Sequence, residues 1–394
     1  MCSGGESDRQ PGRFSAGRLP DRQGWLVDRW LHGSDESTVD AVLANGMTSL
    51  MGLWTEVRAH LEWIRDYNGS AARPVSFYGI DLSGSNSSLL PSLDAVAAFL
   101  AEADPERELD PLIRETAARF AAASPFSIAS VATSYGNLAP ERQDALTAAL
   151  ARLTHRLTGH RLEYVRRTSA EAYEHALRAI HLAAVLDVNA QAMLGQDLQA
   201  VLANRDAAIA DNVEWILRRQ DRILLAAHNG HVQRWPTVAA PGRPPASSMG
   251  MHLADRLGKD YVVIGMTTGG GLTFNLGPGF FKGELLAEQG PPEPDSLDAL
   301  MDASCDRPFA VDLRQLSPED TAAVGAIRRH RHGIYYPEVD PLDAFDLIVH
   351  FPETTAAHLD HGAVASSPPE VRRPSNRACE SGRAEPDGSC GNEE

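Results

Sequence analysis

The sequence predicts an α/β fold with a mostly parallel central sheet, surrounded by helices and carrying a large helical insertion. Short apolar runs that end in polar residues read as buried strands: 75–81, 223–228, 261–266, 308–313 and 345–351. Longer stretches with apolar residues three and four apart read as helices packed on that sheet. The chain between the first two strands is nearly all helical, which places the insertion at about residues 90–200.

Taken in order, residues 1–23 are polar and without periodicity and are expected to be disordered. Ser37 is placed to cap a helix beginning near Thr38, with Asp40 in its first turn, where negative charge suits the helix dipole. The next helix opens at residues 53–56 and buries Leu53, Val57, Leu61 and Ile64, with Glu56 and Trp63 flanking that seam. Strand 75–81 ends in a carboxylate and is followed by a polar loop at 82–88. Helices are expected at 93–103, 112–123, 143–157 and 169–194, and another from Asn204 to Leu217 opens with Arg205 and Asp206. After strand 223–228 come a Pro/Gly-rich loop at 236–248, a short helix at 249–257 and strand 261–266, with Gly269–Gly271 as its mobile exit. A surface connector at 291–296 and the last two strands complete a domain spanning 24–360, and residues 365–394 read as a disordered tail.

Composition narrows the functional classes. A chain of 394 residues with 43% hydrophobic and 23% charged residues is an ordinary globular protein with room for one large core or two. A net charge of −17 without a basic cluster speaks against nucleic acid and against an anionic membrane surface. Cys2, Cys305, Cys379 and Cys390 are too scattered for a disulfide framework or a zinc site. No run approaches the ~18–20 apolar residues of a membrane span, and the first residues lack a signal-peptide core, so a cytoplasmic location is expected.

The most informative stretch is ILLAAHNGHVQRWP at 223–236, an apolar strand delivering His228, Asn229, Gly230 and His231 at its carboxyl end. Imidazole titrates near neutrality, so His228 is a candidate general base, and His231 could share that task or donate to a developing oxyanion. Glu56 and Asp81 are the candidate orienting carboxylates; Arg205, Asp81 and Asn229 are the candidate substrate-binding residues. Structural readings stand beside each: His228 capping its strand, Glu56 as a surface acid in a first turn, Asp81 capping a turn, Arg205 and Asp206 as a local ion pair. A zinc reading of His228 and His231 with a third carboxylate lacks the Glu and the helix of H-E-x-x-H, so no metal is assigned. No nucleophile elbow, phosphate-binding loop or dinucleotide fingerprint occurs, and no cofactor is expected.

From about Gly24 to Thr355 the sequence resembles the erythromycin esterase family, bacterial hydrolases that include enzymes opening a macrolactone ring. The resemblance rests on GWLVDRWLHG, LWTEVRAHLEWIRDYN, VSFYGID, NRDAAIADNVEWI, LLAAHNGHVQR, MGMHLADRLGKDYVVIGMT and FDLIVHF, in that order. It implies a metal-independent hydrolase of a small-molecule ester, in which histidine activates water within a deep cleft. It also implies that His228 is the essential histidine of the HN-x-H element, with His231, Arg205, Asp206 and Glu56 as further members of the set. The family carries an N-terminal G-E-x-x-H-G motif, whereas here Gly5-Glu6 is followed by Ser7-Asp8-Arg9-Gln10. Two expectations follow: a truncated or mis-started chain lacking a first strand and its principal base, or a catalytically impaired member acting at most as a small-molecule-binding protein. Loss of a core strand would leave an exposed sheet edge.

Overall fold

The computed structural model describes residues 23–373 except 48, 49, 83, 123, 239, 276 and 283. The readings made of residues 1–22, including the missing motif, and of residues 374–394 lie outside the described residues.

The described residues open with helices α1 (Gln23–Leu31), α2 (Val39–Gly46) and α3 (Thr55–Asn68). Thr38, not Ser37, caps α2, its hydroxyl accepting the Ala41 N–H. Arg58 ties α3 to Asp360 at 2.5 and 2.7 Å and to Asp40, so the first helices are fastened to the last part of the chain. Val27, Trp30, Leu31, Val42, Leu43, Leu61 and Ile64 form a small core there. Leu61 and Ile64 are buried as the spacing predicts, while Trp63 stands 60% exposed.

Residues 90–194, where the helical insertion was expected, form α4 (Leu90–Ala103), α5 (Pro111–Ala118), α6 (Ala129–Gly136), α7 (Pro140–Gly159), α8 (Arg161–Arg167) and α9 (Ala170–Leu194). They enclose their own apolar core around Phe99, Phe120, Tyr135, Leu157, Tyr164 and Tyr173. Helix α10 (Leu198–Leu217) packs on α9 and leads into the second core. It begins earlier than Asn204, because the Asp197 side chain caps it by accepting the Ala200 N–H. Arg205 and Asp206 therefore sit inside the helix rather than opening it.

The second core, around Ile209, Val213, Met249, Leu253, Phe345 and Ile348, lies under the sheet. Its elements are α11 (Asn229–Val232), α12 (Met249–Leu257), β1 (Ile264–Phe274), β2 (Leu286–Gln289), α13 (Leu297–Ser304), β3 (Phe309–Asp312), α14 (Pro318–Gly325), α15 (Pro341–Ala344) and β4 (Leu347–Thr354). The sheet order is β2-β1-β4-β3. Only β1 and β4 run parallel; β2 on β1 and β3 on β4 are antiparallel, so the sheet is mixed and not mostly parallel among the described residues. β1 also runs straight through Gly269–Gly271, which were expected as its mobile exit. Gly271 has φ +104°, and a Cβ there would lie 2.1 Å from the Thr354 carbonyl oxygen, so glycine lets the two parallel strands stay paired.

The two remaining expected strands, 75–81 and 223–228, are extended but join no ladder among the described residues. Side chains serve the first in place of a neighbouring backbone. Asn68 pairs with both Val75 backbone groups at 2.7 and 2.9 Å, Asp28 accepts the Phe77 N–H at 2.7 Å, and Asn212 donates to the Ile80 carbonyl at 2.7 Å. The second segment is attached at its end, where Asn229 pairs with the backbone N–H and carbonyl of Met266 at 3.1 and 2.7 Å. Leu224 is 93% exposed, and Val262, Ile264 and Met266, alternate residues on one face of the β1 segment, are 49%, 48% and 54% exposed.

α16 (His361–Ser366) follows β4, and Val364 and Val371 pack with Leu50, Leu53, Trp54 and Leu285. Order thus continues past residue 365. No described helix is long and apolar enough to cross a membrane.

Candidate active site

His228 ends the extended segment 223–228 and is the N-cap of α11. Its Nδ1 accepts the Gly230 N–H at 3.1 Å, which turns the chain sharply enough to present His231 from the same short helix. A side chain at Gly230 would not fit, because a Cβ there would lie 2.8 Å from His332 Cε1. His228 keeps access to solvent along the open segment. Protein atoms nevertheless crowd the ring, and that enclosure, with the charge of His231 second, lowers its pKa to about 4.

His231 Nδ1 stands 2.8 Å from Asp206 Oδ1. Asp206 is fully buried in α10, and its other oxygen accepts the Met249 N–H, an otherwise unpaired donor in the first turn of α12, at 2.8 Å. One residue earlier on α10, Arg205 donates through Nε and Nη2 to Asp81 at 2.9 and 2.6 Å. Asp81 also accepts from Leu82 N and Asn86 Nδ2 at 2.8 and 3.1 Å. Burial works against the Asp81 charge, but the paired guanidinium outweighs it and holds the carboxyl below the usual range.

A third wall comes from the segment RHRHG at 329–333, which the sequence reading passed over. His330 and His332 are 0% and 3% exposed. The His332 ring lies edge-on to His228 and His330, with centroids 4.9 and 4.3 Å apart. The Gln233 amide nitrogen donates to the Trp235 and Pro236 carbonyls, which turns its oxygen to His330 Nε2 at 3.1 Å. Burial, helped by neighbouring imidazoles, lowers His330 to about 3 and His332 to about 2. The segment is held to β1 by buried Asp298, which accepts the Arg331 and Thr268 N–H groups at 2.8 and 3.3 Å. Two histidines at a spacing of two, on one face of an extended segment, were the available signal.

The structure thus brings His228, His231, Asp206, Arg205 and Asp81 into one connected set, whereas Asn229 is committed to the β1 backbone. Glu56 stands apart. Its carboxylate meets His358 Nδ1 at 2.8 Å, and no hydrogen bond or ion pair joins it to His228 or His231 among the described residues. No three His, Cys, Asp or Glu side chains among the described residues converge as a metal cage would require. The set can orient an imidazole, present a neutral ring N–H and hold a guanidinium in place, which is equipment for proton transfer to and from water.

The sequence model described as erythromycin esterase matches residues 22–354. A curated relative, erythromycin esterase type II of Escherichia coli, is 27% identical over 263 residues, covering 65% of this chain and 61% of the relative. The chain therefore spans about three-fifths of that relative's length. Among solved structures, a mutant of the erythromycin esterase EreC in its open conformation superposes with a TM-score of 0.68 at 20% identity, covering 88% of this chain and 83% of that one. A succinoglycan biosynthesis protein superposes with a TM-score of 0.65 at 19% identity, covering 87% and 79%. These two likenesses show the fold.

Proposed function

Because the chain belongs to the erythromycin esterase family, we propose that it hydrolyses a carboxylic ester of a small molecule, a macrolactone being one such ester, with water activated by imidazole. The observation that carries this reading is the buried Asp206 holding His231 beside His228, a carboxylate–imidazole arrangement sealed from water on one side and open on the other. An imidazole takes a proton from water as the water oxygen bonds to the ester carbonyl carbon, and the carbonyl oxygen becomes an oxyanion. Collapse of that intermediate breaks the bond to the alcohol oxygen, which receives the proton back. Arg205, steadied by Asp81, has one guanidinium nitrogen left over from its two bonds and is proposed to steady a substrate oxygen.

The test is mass-spectrometric product analysis of 14-membered macrolides and simple aryl esters, incubated with the chain and with its His228→Ala variant. Water addition by the parent alone supports ester hydrolysis at this site; equal turnover by both sinks it. A second reading, a member that binds an ester without turning it over, is favoured by one observation. Among the described residues, 75–81 and 223–228 carry the site with no ladder to fix them, and Leu224 is 93% exposed. Thermal stabilisation by a macrolide without product would select that reading.

A further inference from the structure

We infer that His231 is the base of this site, with Asp206 as its positioning residue, and that His228 works as a neutral N–H donor to the oxyanion. The inference rests on the ester-hydrolase reading and reverses the roles that the resemblance gives the two histidines.

Neutral imidazole has one N–H and one lone pair, and whichever nitrogen is already engaged decides which function the other offers. Asp206 receives one donor on each oxygen, the Met249 N–H and the His231 ring, the pattern a carboxylate satisfies. A carboxylate only accepts, so the His231 proton lies on Nδ1 and the lone pair on Nε2 is left for water. At His228 the engagement is opposite. Nδ1 accepts the Gly230 N–H, so the proton of the neutral ring lies on Nε2, which can only donate. For His228 to accept a proton at Nε2 it would have to give up the bond that caps α11. His332, packed against both Gly230 and the His228 ring, leaves no slack for that rearrangement. The charged and titratable neighbours among the described residues agree with this division: His231 faces the Asp206 carboxylate with Arg205 one residue away, while His228 faces His231 and His332, with His330 behind.

In the proposed step a water proton moves to His231 Nε2 while the water oxygen bonds to the carbonyl carbon. The carbonyl π pair becomes an oxyanion held by His228 Nε2–H. The C–O bond to the alcohol then breaks, and His231 returns its proton to that oxygen, so acid, alcohol and unchanged rings remain.

The direct test reads the rings and needs no turnover. The full chain is labelled with 15N at histidine, and His228→Asn and His231→Asn variants assign the two signals. We expect an Nδ1–H with a bare Nε2 for His231, and an Nε2–H with a bare Nδ1 for His228 at neutral pH. The opposite tautomers overturn the inference. On whichever ester the product analysis identifies, His231→Gln should lower kcat by about 10²–10⁴-fold and abolish the acidic limb of the pH profile. Asp206→Asn should lower kcat and shift that limb. His228→Gln, which keeps an N–H donor, should cost at most about 10²–10³-fold and leave the limb in place. Loss of the limb in His228→Gln with its survival in His231→Gln refutes the assignment. No turnover by the parent refutes ester hydrolysis instead, and the ring spectra still decide the roles.

Discussion

Asp206 and His231, and Glu56 and His358, are two carboxylate–imidazole pairs with the same separation of 2.8 Å. They differ in what surrounds them. Asp206 is 0% exposed and its ring partner 20%, whereas the Glu56 and His358 side chains are 52% and 77% exposed. Water replaces the outer pair's interaction at little cost, and the long side chains lose conformational freedom in forming it. At the inner pair no water replaces a lost partner, so each group dictates the orientation and protonation of the other. Equal distance therefore carries unequal meaning: burial lets the inner pair fix a ring's orientation, and exposure leaves the outer pair free.

The largest effect expected from this contrast is acid lability. His228, His330 and His332 have folded pKa values lowered to about 4, 3 and 2, below the ~6.5 of an unfolded chain. The unfolded state then binds more protons, so the stabilisation is complete above pH ~6.5 and is lost as pH falls from there toward the folded values. One unit is worth about 1.4 kcal/mol, so the two buried rings, His330 and His332, together outweigh any single substitution considered next, while solvent at the exposed His228 screens its share. Melting temperature across pH 7 to 4.5 should fall steeply, and His330→Gln should flatten the slope; a level profile in the parent contradicts the burial argument. Next in size, Asp206→Ala leaves the Met249 N–H and the His231 ring unpaired in the interior and should cost about 3–5 kcal/mol in urea unfolding. Gly230→Ala pushes a methyl against His332 and should cost about 1–3 kcal/mol, together with a shift in the His228 ring signals. The smallest effect belongs to the outer pair. Glu56→Gln should change stability by less than ~1 kcal/mol, fading in salt, and should leave ester turnover nearly unchanged. A loss of turnover comparable to that of Asp206→Asn would show that exposure is the wrong criterion.

Much of the fold was legible wherever the signal is local. Helix α9 starts one residue after Ser169, whose hydroxyl caps it, and α4, α7, α12, β3 and β4 fall where apolar periodicity places them. Residues 75–81 and 223–228 look just as strand-like, but a strand is defined by a partner, and no periodicity says whether one stands alongside. β2 was missed for a related reason: it is held by β1 across Gly271 and Leu272, beside a glycine run read as a break. At the site, His228 and His231 were visible as a motif, while the buried partner of His231 was not. Asp206 looked like half of a surface pair with Arg205, and only the packing of α10 on α12 turns it inward. His330 and His332 were hidden between arginines, and their connection to His228 spans a distance in sequence that no local pattern bridges.

The Asn229 clamp on Met266 has a practical consequence for anyone who concentrates this protein. The Asn229 amide and, two residues on, the Asp298 carboxylate occupy the edge of β1 facing segment 223–228 among the described residues, and Leu224, Val262, Ile264 and Met266 provide an oily strip beside them. Such a strip is a template on which a second molecule's backbone can crystallise into a shared ladder, and crowding favours that reaction. Turbidity should grow with concentration and with storage time. Replacing Ile264 by lysine, away from the histidines, should lengthen the shelf life of the solution without altering its chemistry.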